Sequence, residues 1–152
     1  MASETRSRRR ARASRPLDPG RDLIVVDSSA VVDLLAGGHA RATWVAERIG
    51  GSEPLAAPHL VDVEVVGALR RLVTAGHVSS RDADRAVGDL VQFDLERYPH
   101  VDLIGRAWSL RKSLSMGDAI FVSLAEALDA PLLTTDGRLG RSHGHSATII
   151  AP

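Results

Sequence analysis

The sequence contains no cysteine. Disulfide bonds, a thiolate nucleophile and zinc sites built on cysteine are therefore excluded. Aromatic residues make up only 3% of the chain, too few for a protein that reads single-stranded nucleic acid mainly by stacking bases on exposed rings. No apolar run approaches the roughly 20 residues that a membrane-spanning helix needs. Any chemistry at this protein's functional site must therefore come from oxygen and nitrogen side chains.

Several known types of site are also missing. The six histidines form no HExxH motif. His143 and His145 could bind a metal ion together, but a solvated glycine-rich loop is the favoured interpretation. The only lysine is Lys112, in a helical pattern, whereas a receiver domain needs a lysine after a late strand. Asp27 is followed by two serines, not by the D-x-D of haloacid-dehalogenase phosphatases, and neither GxGxxG nor a P-loop is present.

The formal charge is zero overall but unevenly placed. Residues 1–21 contain seven arginines against Glu4 and Asp18, and the remainder carries 12 basic and 17 acidic residues. Residues 1–21 are too polar to contribute to a hydrophobic core. We therefore predict a disordered basic tail over 1–21 and one domain over 22–152. The tail could be a nucleic-acid arm, but a plain extension, or a start assigned too early, is favoured. Because no apolar segment of an export signal follows the arginines, we expect a cytoplasmic protein.

Residues 22–152 alternate between strand-like and helix-like patterns. Strands are predicted at Leu23–Val26, Pro54–Ala57, Phe93–Glu96, Pro131–Thr135 and Ala147–Ile150. Helices are predicted at Ser28–Ala36, His39–Ile49, His59–Ala75, from Ser79 or Ser80 to about Val91, Asp102–Leu114 and Gly117–Leu128. This alternation predicts the α/β fold class with a mostly parallel central sheet.

Four acids fall where such a sheet would gather them. Asp27 directly follows the first strand and Asp136 the strand at 131–135, and ligands bind at the carboxyl ends of parallel strands. Glu64 and Asp118 lie near the starts of helices that face the same crevice. Four carboxylates would repel one another, and a hard divalent cation such as Mg²⁺ or Mn²⁺ would remove the conflict. The pattern predicts metal-assisted hydrolysis of a phosphodiester.

Each acid also has a simpler explanation. Asp27 could cap the helix that follows it. Ser115 and Asp118 have the spacing of a capping box, Asp136 begins a turn, and Glu64 could be a solvated helix residue. Their joint placement favours a site. Three hydroxyl side chains could orient the acids: Ser28, Ser29 and Thr135.

The four acidic segments resemble those of one known family. Residues 23–30, 63–71, 118–125 and 131–139 are similar, in the same order and spacing, to the four acidic segments of PIN domains. The spacing fits the VapC branch, which are toxins of type II toxin–antitoxin pairs, and the match covers roughly residues 23 to 150. The basic tail is a departure from that pattern.

The resemblance implies a three-layer α/β/α ribonuclease that needs Mg²⁺ or Mn²⁺, forms a homodimer and is silenced by a VapB-type antitoxin. It implies that Asp27 and Asp118 are direct metal ligands and that Glu64 and Asp136 complete the site. A metal-activated water would then displace the 3′-oxygen of RNA, with Ser28 or Ser29 as a supporting polar contact. The alternative is a PIN-like module that binds RNA or a protein without cleaving; the presence of all four acids favours the enzyme.

Overall fold

The computed structural model describes residues 22–36, 40–51 and 53–152. The predicted tail over 1–21 and the predicted helix start at His39 lie outside these residues. The strands are β1 (Ile24–Val26), β2 (Leu55–Pro58), β3 (Leu95–Tyr98), β4 (Leu132–Leu133) and β5 (Ile149–Ile150). The α-helices are α1 (Ser28–Ala36), α2 (Ala40–Ile49), α3 (Leu60–Thr74), α4 (Ser80–Gln92), α5 (Ile104–Ser109), α6 (Met116–Leu128) and α7 (Gly137–Gly140).

The five strands of the described residues form one sheet in the order β3-β2-β1-β4-β5, and every neighbouring pair is parallel. The predicted α/β class with a parallel sheet is thereby confirmed. β1 lies at the centre, with Val25 opposite Leu132 of β4. The strands that precede Asp27 and Asp136 are therefore neighbours, as the prediction of a common crevice required.

The core lies between the sheet and the helices packed on it. The central strands are short and apolar throughout, and Val25 and Leu132 are fully buried, as expected for a parallel sheet covered on both faces. Helix α6 packs against β1, β2 and β4. Its side chains are apolar on nearly every face, and Phe121, Leu124 and Leu128 are fully buried. Each such side chain contributes roughly 1.5–3 kcal/mol to folding, so the start of α6 is held firmly against the sheet.

Two predicted elements were too long. The predicted helix over Asp102–Leu114 is wrong in extent: a 3₁₀ turn (Val101–Leu103) leads into α5, which ends at Ser109. The chain then turns because Ser115 must adopt an extended backbone to cap α6. The predicted strand over Pro131–Thr135 is reduced to β4, because the Thr135 backbone N–H donates to the Ser29 side chain at 3.1 Å.

A surface ion pair ties the C-terminal segment to the domain. Arg106 donates two hydrogen bonds to the Glu126 carboxylate, at 2.7 and 2.9 Å, and the Ser146 N–H donates a third at 2.8 Å. These hydrogen bonds, with Arg106 the largest cause, hold the pKa of Glu126 at about 2. Glu126 therefore stays ionised and anchors the chain just before β5.

The described residues also bear on two minor predictions. Among the described residues, no three His, Asp or Glu side chains are grouped closely enough to hold a metal ion as they are placed. His145 Nε2 instead lies 2.9 Å from Ser142 Oγ. Within the same residues, no helix has both the length and the apolar character needed to cross a membrane.

Candidate active site

Asp27 lies at the carboxyl end of the central strand and is almost completely buried, with 4% of its surface exposed. Its Oδ2 accepts hydrogen bonds from Ser29 Oγ at 2.6 Å and from Thr134 Oγ1 at 2.8 Å. Charged side chains are rarely buried to this degree without such partners. The hydroxyl groups fix one oxygen of the carboxylate and so fix its direction.

Glu64 lies in the second turn of α3, beside Asp27. Ser28 Oγ donates to Glu64 Oε2 at 2.7 Å. The other oxygen points at the start of α6: a β-carbon added to Gly117 would lie 2.6 Å from Glu64 Oε1. The Glu64 carboxylate therefore occupies the space that a side chain at Gly117 would fill, next to the positive end of the α6 dipole.

Asp118 lies in the first turn of α6, and its carboxylate is not used as a helix cap. Ser115 caps the helix by accepting from the Asp118 backbone N–H at 3.1 Å. The same S-x-x-D spacing at Ser79 adds a second bond, in which Ser79 Oγ donates to the Asp82 carboxylate at 2.6 Å. Among the described residues, Asp118 makes no corresponding bond. Its carboxylate is therefore available to the acidic site.

Asp136 is placed differently from the other three acids. Its Oδ1 accepts from the Arg138 backbone N–H at 2.7 Å, so it caps the short helix α7. Arg138 also lies 3.8 Å from Oδ2. Asp136 lines the same cavity as Glu64, but its carboxylate is already engaged. The turn that the sequence offered as a simpler explanation is thus present, at the edge of the site.

The causes of the pKa shifts link three of the four acids. The pKa of Asp27 is raised, first by burial and then by the negative charge of Asp118. The pKa of Glu64 is raised by burial and by the charges of Asp27 and Asp118. Asp136 is not among the causes of either shift. The charges of Asp27, Glu64 and Asp118 therefore act on one site, whereas Asp136 lines the cavity that Glu64 also lines.

The hydroxyl groups around the acids were partly predicted. Ser28 and Ser29 orient the acids, as predicted, but the prediction for Thr135 is wrong. The side chain that contacts Asp27 is that of Thr134, which also accepts from the Asp136 N–H at 3.0 Å. Thr135 contributes its backbone N–H instead. β4 ends at Leu133, two residues before the predicted end, so both threonines lie beyond the strand, where its alternation no longer fixes their side-chain directions.

Three further residues near the acids were missed from sequence. Gly117 gives Glu64 its space, and Arg41 and Arg71 line the cavity that Glu64 and Asp136 share. That cavity has a volume of about 1040 Å³. The A-L-R-R run that contains Arg71 follows Gly67 in the segment similar to PIN domains, and this was the one signal that could have drawn attention to it.

The donor set fits a hard divalent cation. Asp27, Glu64 and Asp118 offer only oxygen atoms, which suit Mg²⁺ or Mn²⁺. Burial and mutual repulsion raise the pKa of two of these carboxylates, and a nearby cation would relieve both effects. Their carboxylates do not form a ready-made cage within the described residues. Binding must therefore compete with the hydrogen bonds from Ser28 and Ser29.

Comparison with known proteins identifies the family. The PIN domain family model matches residues 24–142. Ribonuclease VapC12 of Mycobacterium tuberculosis is 40% identical over 127 residues, which cover 84% of this chain and 97% of that protein.

Two solved structures share the fold. One is the Mycobacterium tuberculosis VapC20, described as a toxin that cleaves the sarcin-ricin loop, with 21% identity, a TM-score of 0.62, and coverage of 81% of this chain and 96% of that one. The other is VapBC2 from Rickettsia felis bound to a DNA fragment from its promoter, with 13% identity, a TM-score of 0.59, and coverage of 85% and 98%. The acidic site, the parallel sheet and these similarities agree: the chain belongs to the PIN-domain family, in its VapC branch.

Proposed function

We propose that this protein is a Mg²⁺-dependent endoribonuclease, the toxin of a VapBC-type pair. The observation that carries the proposal is the group of three carboxylates, Asp27, Glu64 and Asp118, in which the charge of Asp118 raises the pKa of both Asp27 and Glu64. Relatives named as ribonucleases support the same activity. A buried acidic group of this kind has a clear use in binding a cation that faces a phosphodiester.

The chain's own residues would do the following work. Asp27 and Asp118 hold Mg²⁺ (or Mn²⁺) directly, and Glu64 and Asp136 complete the acidic site. Ser29 and Thr134 keep Asp27 pointed at the cation, and Ser28 does the same for Glu64. When bound, the cation lowers the pKa of a water molecule and offsets charge on the phosphate. The product would be a strand broken at the 3′-oxygen.

The proposal includes partners. A VapB-type antitoxin would bind and silence the toxin, and the toxin would form a homodimer in the cytoplasm. Structures of toxin–antitoxin complexes with this fold support the first of these. We place the nuclease domain at residues 22–152, with residues 1–21 as an extension.

The direct test uses the purified full chain with total RNA from a bacterial host. We expect cleavage when Mg²⁺ or Mn²⁺ is present, because the acids alone cannot approach a polyanion. A chelator should abolish cleavage, and added Mg²⁺ should restore it. RNA that is bound but never cleaved at any divalent concentration would favour the non-catalytic module instead. Mapping the 5′ ends of the fragments would identify the RNA and the sequence at the cut.

Gly117→Ala is a sharper test of the site's geometry. The new methyl group would meet Glu64 Oε1 at 2.6 Å, so the flexible Glu64 side chain must swing away. We expect Mg²⁺-dependent cleavage to fall by about 10–100-fold, as when a supporting contact of a metal site is lost. Alanine is a better helix former than glycine, so thermal unfolding should show equal or slightly higher stability.

Gly88→Ala is the matched control. Gly88 lies within α4, and an added β-carbon meets nothing within 4 Å. This variant should cleave RNA at the wild-type rate and gain about 0.5–1 kcal/mol of stability. Full activity in Gly117→Ala would mean that the position of Glu64 does not matter for the reaction.

A further inference from the structure

Two arginines line a cavity of about 1040 Å³ that two of the four acids also line. Arg41 and Arg71 share this cavity with Glu64 and Asp136, and both side chains are exposed. Asp33 lines it as well, so two arginines and three acids share this cavity. Positive charge this close to the acids would weaken the binding of a cation to them. The arginines therefore suit a second ligand that is negatively charged.

Arg71 lies on the same face of α3 as Glu64. The two are seven residues apart, which is about two helical turns. The guanidinium folds back towards Glu64 across Gly67: a β-carbon on Gly67 would lie 3.6 Å from Arg71 Nη1. Its charge lowers the pKa of Glu64. None of the ion pairs between described residues, however, involves Arg71.

Arg41 lies in the first turn of α2, where a cation opposes the helix dipole. None of the ion pairs between described residues involves Arg41 either. Two guanidinium groups thus line one cavity, and neither takes part in an ion pair within the described part of the chain. Arginine is the side chain best shaped to hold a phosphate, because its planar fork can donate two parallel hydrogen bonds.

The lining of the cavity also includes the aliphatic side chains of Val32, Ala68 and Leu72. The cavity therefore combines two guanidinium groups, acids that could hold a cation, and apolar surface. An RNA strand offers matching groups, since its phosphates alternate with sugars and bases. We propose that Arg41 and Arg71 form a clamp for a phosphate of the RNA adjacent to the one that is cleaved.

The clamp rests on the proposed function and assigns it a substrate-positioning step. It also predicts weak discrimination between bases, because no aromatic ring lines the cavity on which a base could stack. Residues that hold a neighbouring phosphate act on RNA affinity and on register, so their loss should raise KM more than it lowers kcat.

The test measures RNA binding separately from cleavage. In the Asp27→Asn background, a fluorescent single-stranded RNA is titrated with protein at several salt concentrations. Arg41→Gln and Arg71→Gln should each weaken binding by about three- to tenfold at low salt. Each should also reduce the slope of log K against log salt by about 0.7, the value for one lost phosphate contact on a single strand. In the otherwise wild-type enzyme, each should raise KM.

Arg85→Gln and Arg111→Gln are matched controls, because Arg85 pairs with Asp82 and Arg111 stacks on Trp108, outside the cavity. Both should bind RNA as the wild type does. An unchanged salt slope in the Arg41→Gln/Arg71→Gln double variant would overturn the clamp, as would a fall in kcat with KM unchanged. A wild-type chain that shows the arginine-dependent slope without cleaving would overturn the proposed function and leave the clamp standing.

Discussion

Asp27→Asn is expected to lower the rate of Mg²⁺-dependent RNA cleavage more than about 100-fold. Loss of a supporting contact in a metal site costs about 10–100-fold, and Asp27 is proposed to bind the metal itself. Asparagine has the same shape and can still accept from Ser29 and Thr134, so the site should keep its form. Initial rates of cleavage with saturating Mg²⁺ would measure the loss. Asp118→Asn should behave in the same way.

The same variant should be no less stable than the wild type when divalent cations are absent. It removes a buried charge that Asp118 repels, and sites of this kind commonly trade stability for function. Asp89→Asn, on the exposed face of α4, is the matched control and should leave both cleavage and stability unchanged. Wild-type cleavage by Asp27→Asn would show that the assigned site is wrong. An unfolded Asp27→Asn protein would show instead that the charge is structural.

The second large effect concerns pH and metal together. The pKa values of Asp27 and Glu64 are raised above their ordinary values of 3.8 and 4.5. The folded state therefore holds protons more tightly than the unfolded state, and its stability must fall as pH rises. The stability that these two acids contribute is fully present below their ordinary pKa values, and it is lost as the pH rises through their raised pKa values. Without divalent cations, the melting temperature should therefore decline above about pH 4.

Mg²⁺ should reverse this decline, because it binds the ionised acids. At 100 times its dissociation constant a ligand adds about 2.7 kcal/mol, which is roughly 8 °C in the melting temperature of a domain of this size. Thermal unfolding between pH 4 and 8, with Mg²⁺ and with a chelator, would measure both effects. The Asp27→Asn/Glu64→Gln double variant should show neither. If this variant declines as steeply as the wild type, other groups cause the pH dependence.

Much of this architecture could be predicted from local patterns. Short apolar runs that end at Asp27 and shortly before Asp136 indicated parallel strands, and the structure pairs those strands side by side. The two hydroxyls after Asp27 were correctly predicted to orient acids. These features depend on residues close in sequence, where side-chain direction follows from strand or helix geometry.

The relative placement of the four acids could not be read in the same way. From sequence, Asp27 and Asp136 had the best independent support and Asp118 was ambiguous with a cap. In the structure, Asp118 joins Asp27 and Glu64, whereas Asp136 uses its carboxylate on its own helix. The difference depends on how the turn before Ser115 directs α6, and no local pattern encodes that direction.

Arg41 and Arg71 were missed for a different reason. Each is an exposed arginine on a helix, which in a sequence is indistinguishable from a solvated face. Only the shared cavity and the absence of both arginines from the ion pairs of the described residues distinguish them.

The hydrogen bond between Thr134 and Asp27 joins residues 107 positions apart. A chain that is still being synthesised can make the Ser29–Asp27 hydrogen bond early, but the second hydroxyl contact to Asp27 forms only after β4 has left the ribosome and paired with β1. Synthesis at about 5–20 residues per second thus leaves an interval of several seconds between the appearance of the first acid and the completion of its surroundings. The proposed ribonuclease site is in this way completed late in the synthesis of the chain.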